Sequence, residues 1–543
     1  MRRLFVASAL APMIALAGGY FDGYQTPESL NRQLFSLAQT NPQLLRVAVL
    51  TDTPGKHQVL QATLGKQSDA PAVAVVAGLE GDDLAGAPVC LRFIERMCRD
   101  YGRVDSVTAL LDRAAFYIFP SMNPDAAAQL HRKPVCTRTV NARPTDDDCD
   151  GAVDEDGYED LNGDGRITQM RVASPFGEWL ADPQTPVLMR RADPSQQERG
   201  EFCLYGEGVD NDGDGNWNED SDGGVDLGRN FAYDYRPFTR GAGEHPMSEA
   251  ETRALADFFS AHPNIFAVFS FSSHDNLLQP WQAGKSLQEA DGKPLTAPLP
   301  EDAPYFRRMS ERFRAVVPSQ PLPHDEPSSG TFCQWAYHHF GRWSFSAPVW
   351  LPPADSALVK ETGDPFYRQR LLYTWLTANG HDRQFVPWQA VEHPDFPGQR
   401  VEVGGFAPLV EKNPPSDSLE VIAARYGDFF IELAGAMPII EETLLAEKLH
   451  DALCRLTLRV VNRGRLPTAG KLGDEVQWLR KVKAEIMLDK EQTLVSGTRF
   501  YLLESIEPGR WAEKSWVVRA KRGRVRVRVG SPSVGSVEAE ARL

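Results

Sequence analysis

Ala72-Val73-Ala74-Val75-Val76-Ala77, running into Gly78-Leu79-Glu80-Gly81-Asp82-Asp83-Leu84-Ala85-Gly86, is the stretch on which the fold turns. A continuous apolar run this short marks a strand buried on both faces. A helix is expected from about Ala87 to Tyr101, and Ala114–Phe119 is a second run of the same kind. Strand, helix, strand at this spacing predicts an α/β fold, a mostly parallel sheet with crossover helices. Upstream, Gln25–Ala38 has helical periodicity, and Leu45–Thr51 and His57–Leu64 alternate as two strands around Thr53-Pro54-Gly55. Downstream the rhythm returns after Asn230: helix Ser248–Ala261, strand Ile265–Phe271, helices Tyr305–Val316 and Phe332–Phe340, strand Ser344–Val349, helices Pro365–Asn379 and Ser418–Ala436. From 449 to 543 short strands alternate with frequent turns, which predicts a separate β-sandwich of immunoglobulin-like type.

The chain has 543 residues, 42% of them apolar, enough for more than one domain. Met1-Arg2-Arg3 precedes an apolar run from Leu4 to Ala17 that ends in small residues. Residues 1–17 therefore read as a secretory signal peptide, too short to span a bilayer, and predict a secreted or periplasmic protein. The main domain is expected over 18–440, with no stable membrane insertion. A net charge of −16 argues against nucleic acid as a partner. The seven cysteines show no disulfide framework and are expected to be mostly small buried residues.

Between about 145 and 226 the periodicity lapses and the sequence turns acidic. Asp146-x-Asp148-x-Asp150-Gly151, Asp160-x-Asn162-x-Asp164-Gly165 and Asp210-x-Asp212-x-Asp214-Gly215 repeat one pattern. Oxygens at positions 1, 3 and 5, with glycine at 6 for the sharp turn, form the first half of a calcium loop. The twelfth position carries no bidentate acid in any of the three, and a solvated acidic insertion is the alternative. Calcium is the expected cofactor here, stiffening one wall of a cleft.

Several motifs in order resemble those of the zinc carboxypeptidases related to carboxypeptidase A, across roughly Tyr20 to Ala436. Gly223–Phe231, G-G-V-D-L-G-R-N-F, is similar to the family's V-D-L-N-R-N-F. Phe119–Asp125 matches P-x-x-N-P-D, and Pro246–Thr252 matches P-x-S-E-x-E-T. The resemblance implies a carboxypeptidase-like domain that acts on or binds the C-terminal end of peptides, cell-wall peptides included. It places Glu80, Asp83 and His274 where the family binds zinc. Two carboxylates and one imidazole lean toward harder divalent cations, since zinc prefers nitrogen and sulfur. The alternative is that Glu80 and Asp83 cap the following helix. Arg229 keeps the guanidinium that grips a terminal carboxylate, or forms a structural ion pair, while Gly228 stands in place of the family's Asn. Arg143 and Arg171 are candidates for the arginine that polarises the scissile carbonyl. Pro348 replaces the general-base Glu, and losing such a group typically costs about 10²–10⁴-fold in rate. Two functions follow: a remodelled metallocarboxypeptidase, or a pseudopeptidase that binds peptide or cell-wall carboxylates with calcium-stabilised loops.

Overall fold

The computed structural model describes residues 19–145, 153, 157–211, 213, 215, 217, 223–318, 329–352, 366–476, 478–520 and 523–543. The signal-peptide reading and the loop residues Asp146, Asp148, Asp150, Asp212 and Asp214 lie outside them.

A six-stranded sheet runs in the order Leu45–Asp52, Gln58–Leu64, Ala115–Phe119, Ala72–Val76, Ile265–Phe271, Trp343–Ala347. The last four are mutually parallel, and the first two join antiparallel at one edge. Ala72–Val76 and Ala115–Phe119 are buried at every position because helices cover both faces. On one face Gly86–Asp100 packs against Leu419–Ala436, with Phe93, Phe116 and Phe430 in edge-to-face contact. On the other, Ala250–Ala261 and Phe332–His338 bring Phe259, Phe332 and Trp335 together. This is the α/β architecture expected from the sequence, and Asp105–Arg113 adds a helix that the periodicity did not signal.

The stretch without periodicity is not structureless. Gln169–Ala173, Trp179–Ala181, Met189–Arg191 and Phe202–Gly206 join Phe385–Val391 and Val401–Phe406 in a second, antiparallel six-stranded sheet. Val401–Phe406 pairs directly with Gln169–Ala173, closing a small core of Met170, Val172, Val401 and Val403. The C-terminal region consists of two four-stranded antiparallel sheets enclosing Leu456, Leu458, Ile486, Trp516, Val518, Val525 and Val527. Its first strand, Ile440–His450, pairs along its length with Leu453–Asn462, so the sandwich begins ahead of the composition change at 449.

Candidate functional site

Parallel strands direct their C-terminal ends to one edge of the sheet, where ligands bind in open α/β folds. Three such ends meet here. Ala72–Val76 leads to Glu80, Ile265–Phe271 leads to Ser272 and Ser273, and Trp343–Ala347 leads to Pro348. The Glu80 carboxylate accepts bonds from Ser272 Oγ (2.5 Å), the Ser273 N–H (2.7 Å) and Ser273 Oγ (2.9 Å). Its fourth partner is the Lys412 ammonium, with Nζ 3.1 Å from Glu80 Oε2 and 2.9 Å from Asp82 Oδ1. The side chains of Glu80 and Asp82 are only 14% and 13% exposed, so this is a largely buried ion triad.

Asn413 explains why Lys412 stands there. Its Oδ1 accepts the Leu84 and Ala85 N–H groups at 2.8 and 3.0 Å, and its Nδ2 donates to the Asp82 and Leu409 carbonyls. Helix Gly86–Asp100 has no cap from its own preceding residue. Asn413 supplies one from a distant segment and so fixes the position of its neighbour Lys412.

The charges are unequally served. Burial pushes Glu80 upward, but the Lys412 ammonium and the serine and backbone donors outweigh it and hold the group below the usual glutamate range. Asp82 lacks those serine donors and ends raised, through burial and then the charge of Glu80, despite Lys412. Asp83 is pushed up to about 8 by burial and by Glu80. Its Oδ1 has no hydrogen-bond partner. Asp226 rises to about 7, again through burial and Glu80. Burial disfavours the Lys412 charge, yet Glu80 and Asp82 more than restore it, so the lysine stays protonated.

Of the expected metal donors, the structure brings Glu80 and Asp83 to this edge. His274 lies one residue beyond the serines, and its ring meets Trp281 edge-on at 6.3 Å. Among the described residues, no group of three or more His, Cys, Asp or Glu side chains could hold a metal ion. Arg229 donates to the Arg240 carbonyl (3.0 Å) and Thr239 Oγ1 (3.3 Å), so its guanidinium holds the 239–241 loop. Arg143 is paired with Glu244 and Glu249, and Arg171 is paired with Glu402 and flanked by Phe202 and Trp388. Asp275 caps its own turn, accepting the N–H groups of Leu277, Leu278 and Gln279. The Tyr337 hydroxyl is buried on Asp302. Lys412 and Asp82 carry no motif. Their only sequence signal is that two acids this close to a buried strand end require a cation.

Two cavities meet at Lys412. One is a cleft of about 540 Å³ running toward the second sheet, with Trp179, Trp217, Trp388, Arg240 and Gln169 among its walls. The other, of about 210 Å³, is bounded by Glu80, Asp83, Pro348, Trp350 and Leu372. The acidic loops stand beside the second sheet. Asp160 accepts the Asp164 and Gly165 N–H groups at 3.1 and 2.6 Å, and Asp164 accepts that of Arg166 at 2.8 Å. Asn162 Oδ1 also accepts the Asp164 N–H. Asp210 folds the second loop in the same way, accepting from Gly213 and Gly215. Buried Glu207 holds Leu161 and Thr168 behind the first.

The zinc carboxypeptidase family profile matches residues 30–155 and 199–357, slightly more than half of the sequence. The chain belongs to the zinc carboxypeptidase family. Residues 441–542 match a second profile, described as a domain of unknown function. Similar proteins include carboxypeptidase D of Rattus norvegicus, 26% identical over 134 residues, which are 23% of this chain and 10% of that protein. Carboxypeptidase B of Homo sapiens is 25% identical over 25% of this chain and 33% of its own length. Carboxypeptidase A4 of Mus musculus is 19% identical over 60% of this chain and 62% of its own. The alignments thus span a tenth to under two thirds of these relatives. Among solved structures, that of thrombin activatable fibrinolysis inhibitor is 13% identical, covering 77% of this chain and 75% of the other at a TM-score of 0.43.

The family's metal is zinc, and the residues present do not fit it. Zinc sites use nitrogen and sulfur donors with at most a few carboxylates. Among the described residues no three such donors converge here, and an ammonium already lies between two of the carboxylates.

Proposed function

We propose that this protein is an exported, non-hydrolytic member of its family that holds the C-terminal ends of peptides, cell-wall peptides among them, in the cleft beside Lys412. The observation that carries this reading is the Lys412 ammonium between Glu80 and Asp82. A protonated lysine can donate hydrogen bonds to a carbonyl or carboxylate, but it cannot generate a nucleophilic water as a metal does. Pro348, at the strand end where the family carries its general base, cannot take a proton. Recognition needs neither function. The cleft offers aromatic faces, Gln169 for backbone amides, and the cations Lys412 and Arg240 for a terminal carboxylate. Calcium in the Asp160 and Asp210 loops would stiffen the sheet that carries this wall.

The test is a comparison of one peptide series with free and amidated C-termini. Binding is read from tryptophan emission and cleavage by mass spectrometry, with and without added zinc. Tighter binding of the free acids, with no residue released, is expected. Zinc-dependent removal of C-terminal residues, abolished in Glu80→Gln, would refute the reading.

A further inference from the structure

The misfit with zinc points to a built-in replacement. We infer that Lys412 is the resident cation of this site: a covalently attached ammonium that stands between Glu80 and Asp82, in the place a divalent ion bridging the two carboxylates would have to take. The inference rests on the proposed reading only for the identity of the ligand, not for the exclusion itself.

Three observations converge. First, the Lys412 ammonium stands 3.1 Å from Glu80 and 2.9 Å from Asp82, and Asp83 lines the same cavity as Glu80 and Lys412. Two largely buried carboxylates facing each other need a cation between them, and here the chain itself supplies it. Second, Asp83 is 5% exposed, lines the 210 Å³ cavity, and leaves Oδ1 without a hydrogen-bond partner. Third, the cation now present is placed by a dedicated device. Asn413 makes four hydrogen bonds to residues 82–85 and 409, so Lys412 arrives on a clamped backbone and not on a free loop.

The exchange has a functional consequence. An ammonium carries three N–H donors, and Glu80 and Asp82 take two of them. A further donor remains at the junction of the two cavities, both of which Lys412 lines. A bound metal would offer an open coordination position. Lys412 offers a hydrogen bond, suited to an oxygen acceptor such as a carbonyl or carboxylate, and does not depend on metal supply.

Manganese suits the test, because oxygen-rich pockets favour hard divalent ions and the free ion is counted by its paramagnetic resonance signal. Bound manganese per chain is measured for the full-length wild type, Glu80→Gln, Lys412→Ala and Lys412→Ala/Glu80→Gln. The acidic loops contribute equally to all four. Wild type and Glu80→Gln are expected to bind the same number, Lys412→Ala about one ion more, and the double variant to return to the wild-type number. A repeat with zinc is expected to show no wild-type binding that depends on Glu80. Loss of an ion in Glu80→Gln alone would overturn the inference, and needs no lysine variant to fold. So would a folded Lys412→Ala that gains nothing. A wild type that excludes the ion yet ignores peptides would remove the proposed function and leave this inference standing. One that binds peptides and also holds a Glu80-dependent ion would do the reverse.

Discussion

Replacing Lys412 by methionine keeps the side-chain length and removes the charge, leaving Glu80 and Asp82 largely buried without their ion-pair partner. Removing one side of a buried ion pair costs roughly 3–5 kcal/mol, because the remaining charge keeps its desolvation penalty. The lysine side chain is 39% exposed, so water already screens part of the attraction. The expected loss is therefore about 2–3 kcal/mol at pH 8. The deficit should shrink toward pH 5, since without the ammonium both carboxylates escape the penalty by taking up protons. The assay is urea unfolding of wild type and variant at the two pH values, followed by tryptophan emission. A Glu80→Gln/Asp82→Asn/Lys412→Met variant should recover most of the loss, because the stranded charges are gone. A loss below about 0.5 kcal/mol at pH 8, or an equal loss at both pH values, would refute the buried-triad argument.

Glu251 is fully buried, with Oε2 unpartnered, and burial pushes its carboxyl up to about 7. Against an unfolded value of about 4.3, this group favours the native state at low pH and withdraws about 3 kcal/mol between pH 4 and 7. Glu251→Gln should flatten that slope and be the more stable protein at pH 8; unfolding curves that track wild type at both pH 5 and pH 8 would count against it. Gly330 has φ +70°, and a Cβ there would lie 2.2 Å from the Arg229 carbonyl. Gly330→Ala should cost about 2–4 kcal/mol, read as a fall in melting temperature, and an unchanged melting point would mean that the loop yields. Calcium should stabilise the wild type by up to about 2.7 kcal/mol per site at a hundredfold excess over Kd, read as a rise in melting temperature. Asp160→Ala should lose part of that gain; an identical calcium response in both proteins would sink the calcium reading of this loop.

What was legible in the sequence was what adjacent residues decide. Ala72–Val76 announces itself because helices cover both of its faces, so no polar residue interrupts it. The second sheet was hidden for the opposite reason. Trp179–Ala181 and Met189–Arg191 are three residues each, too short for a period, and Gln169–Ala173 finds its partner at Val401–Phe406. At the site, Pro348 was readable because it breaks a motif in place. His274 is placed by the resemblance of the segment Ser270–Trp281 to the one that carries the family's third zinc ligand, whereas that resemblance gives no sign that Ser272 and Ser273 bind Glu80. Lys412 was unreadable, since its sequence neighbours Asn413-Pro414-Pro415 look like a connector and its meaning lies in two acids elsewhere in the chain.

That separation has a consequence in time. Glu80 and Lys412 are 332 residues apart, and Asn413 is 331 residues from the Asp82 carbonyl that it clamps. During synthesis the parallel strands can emerge and pair long before the lysine exists, and contacts of such long range are the slow ones to form. The centre of this domain is therefore completed from its far end. A nascent chain passes through a stage in which the scaffold is assembled, the acids are gathered, and their counter-charge has yet to leave the ribosome.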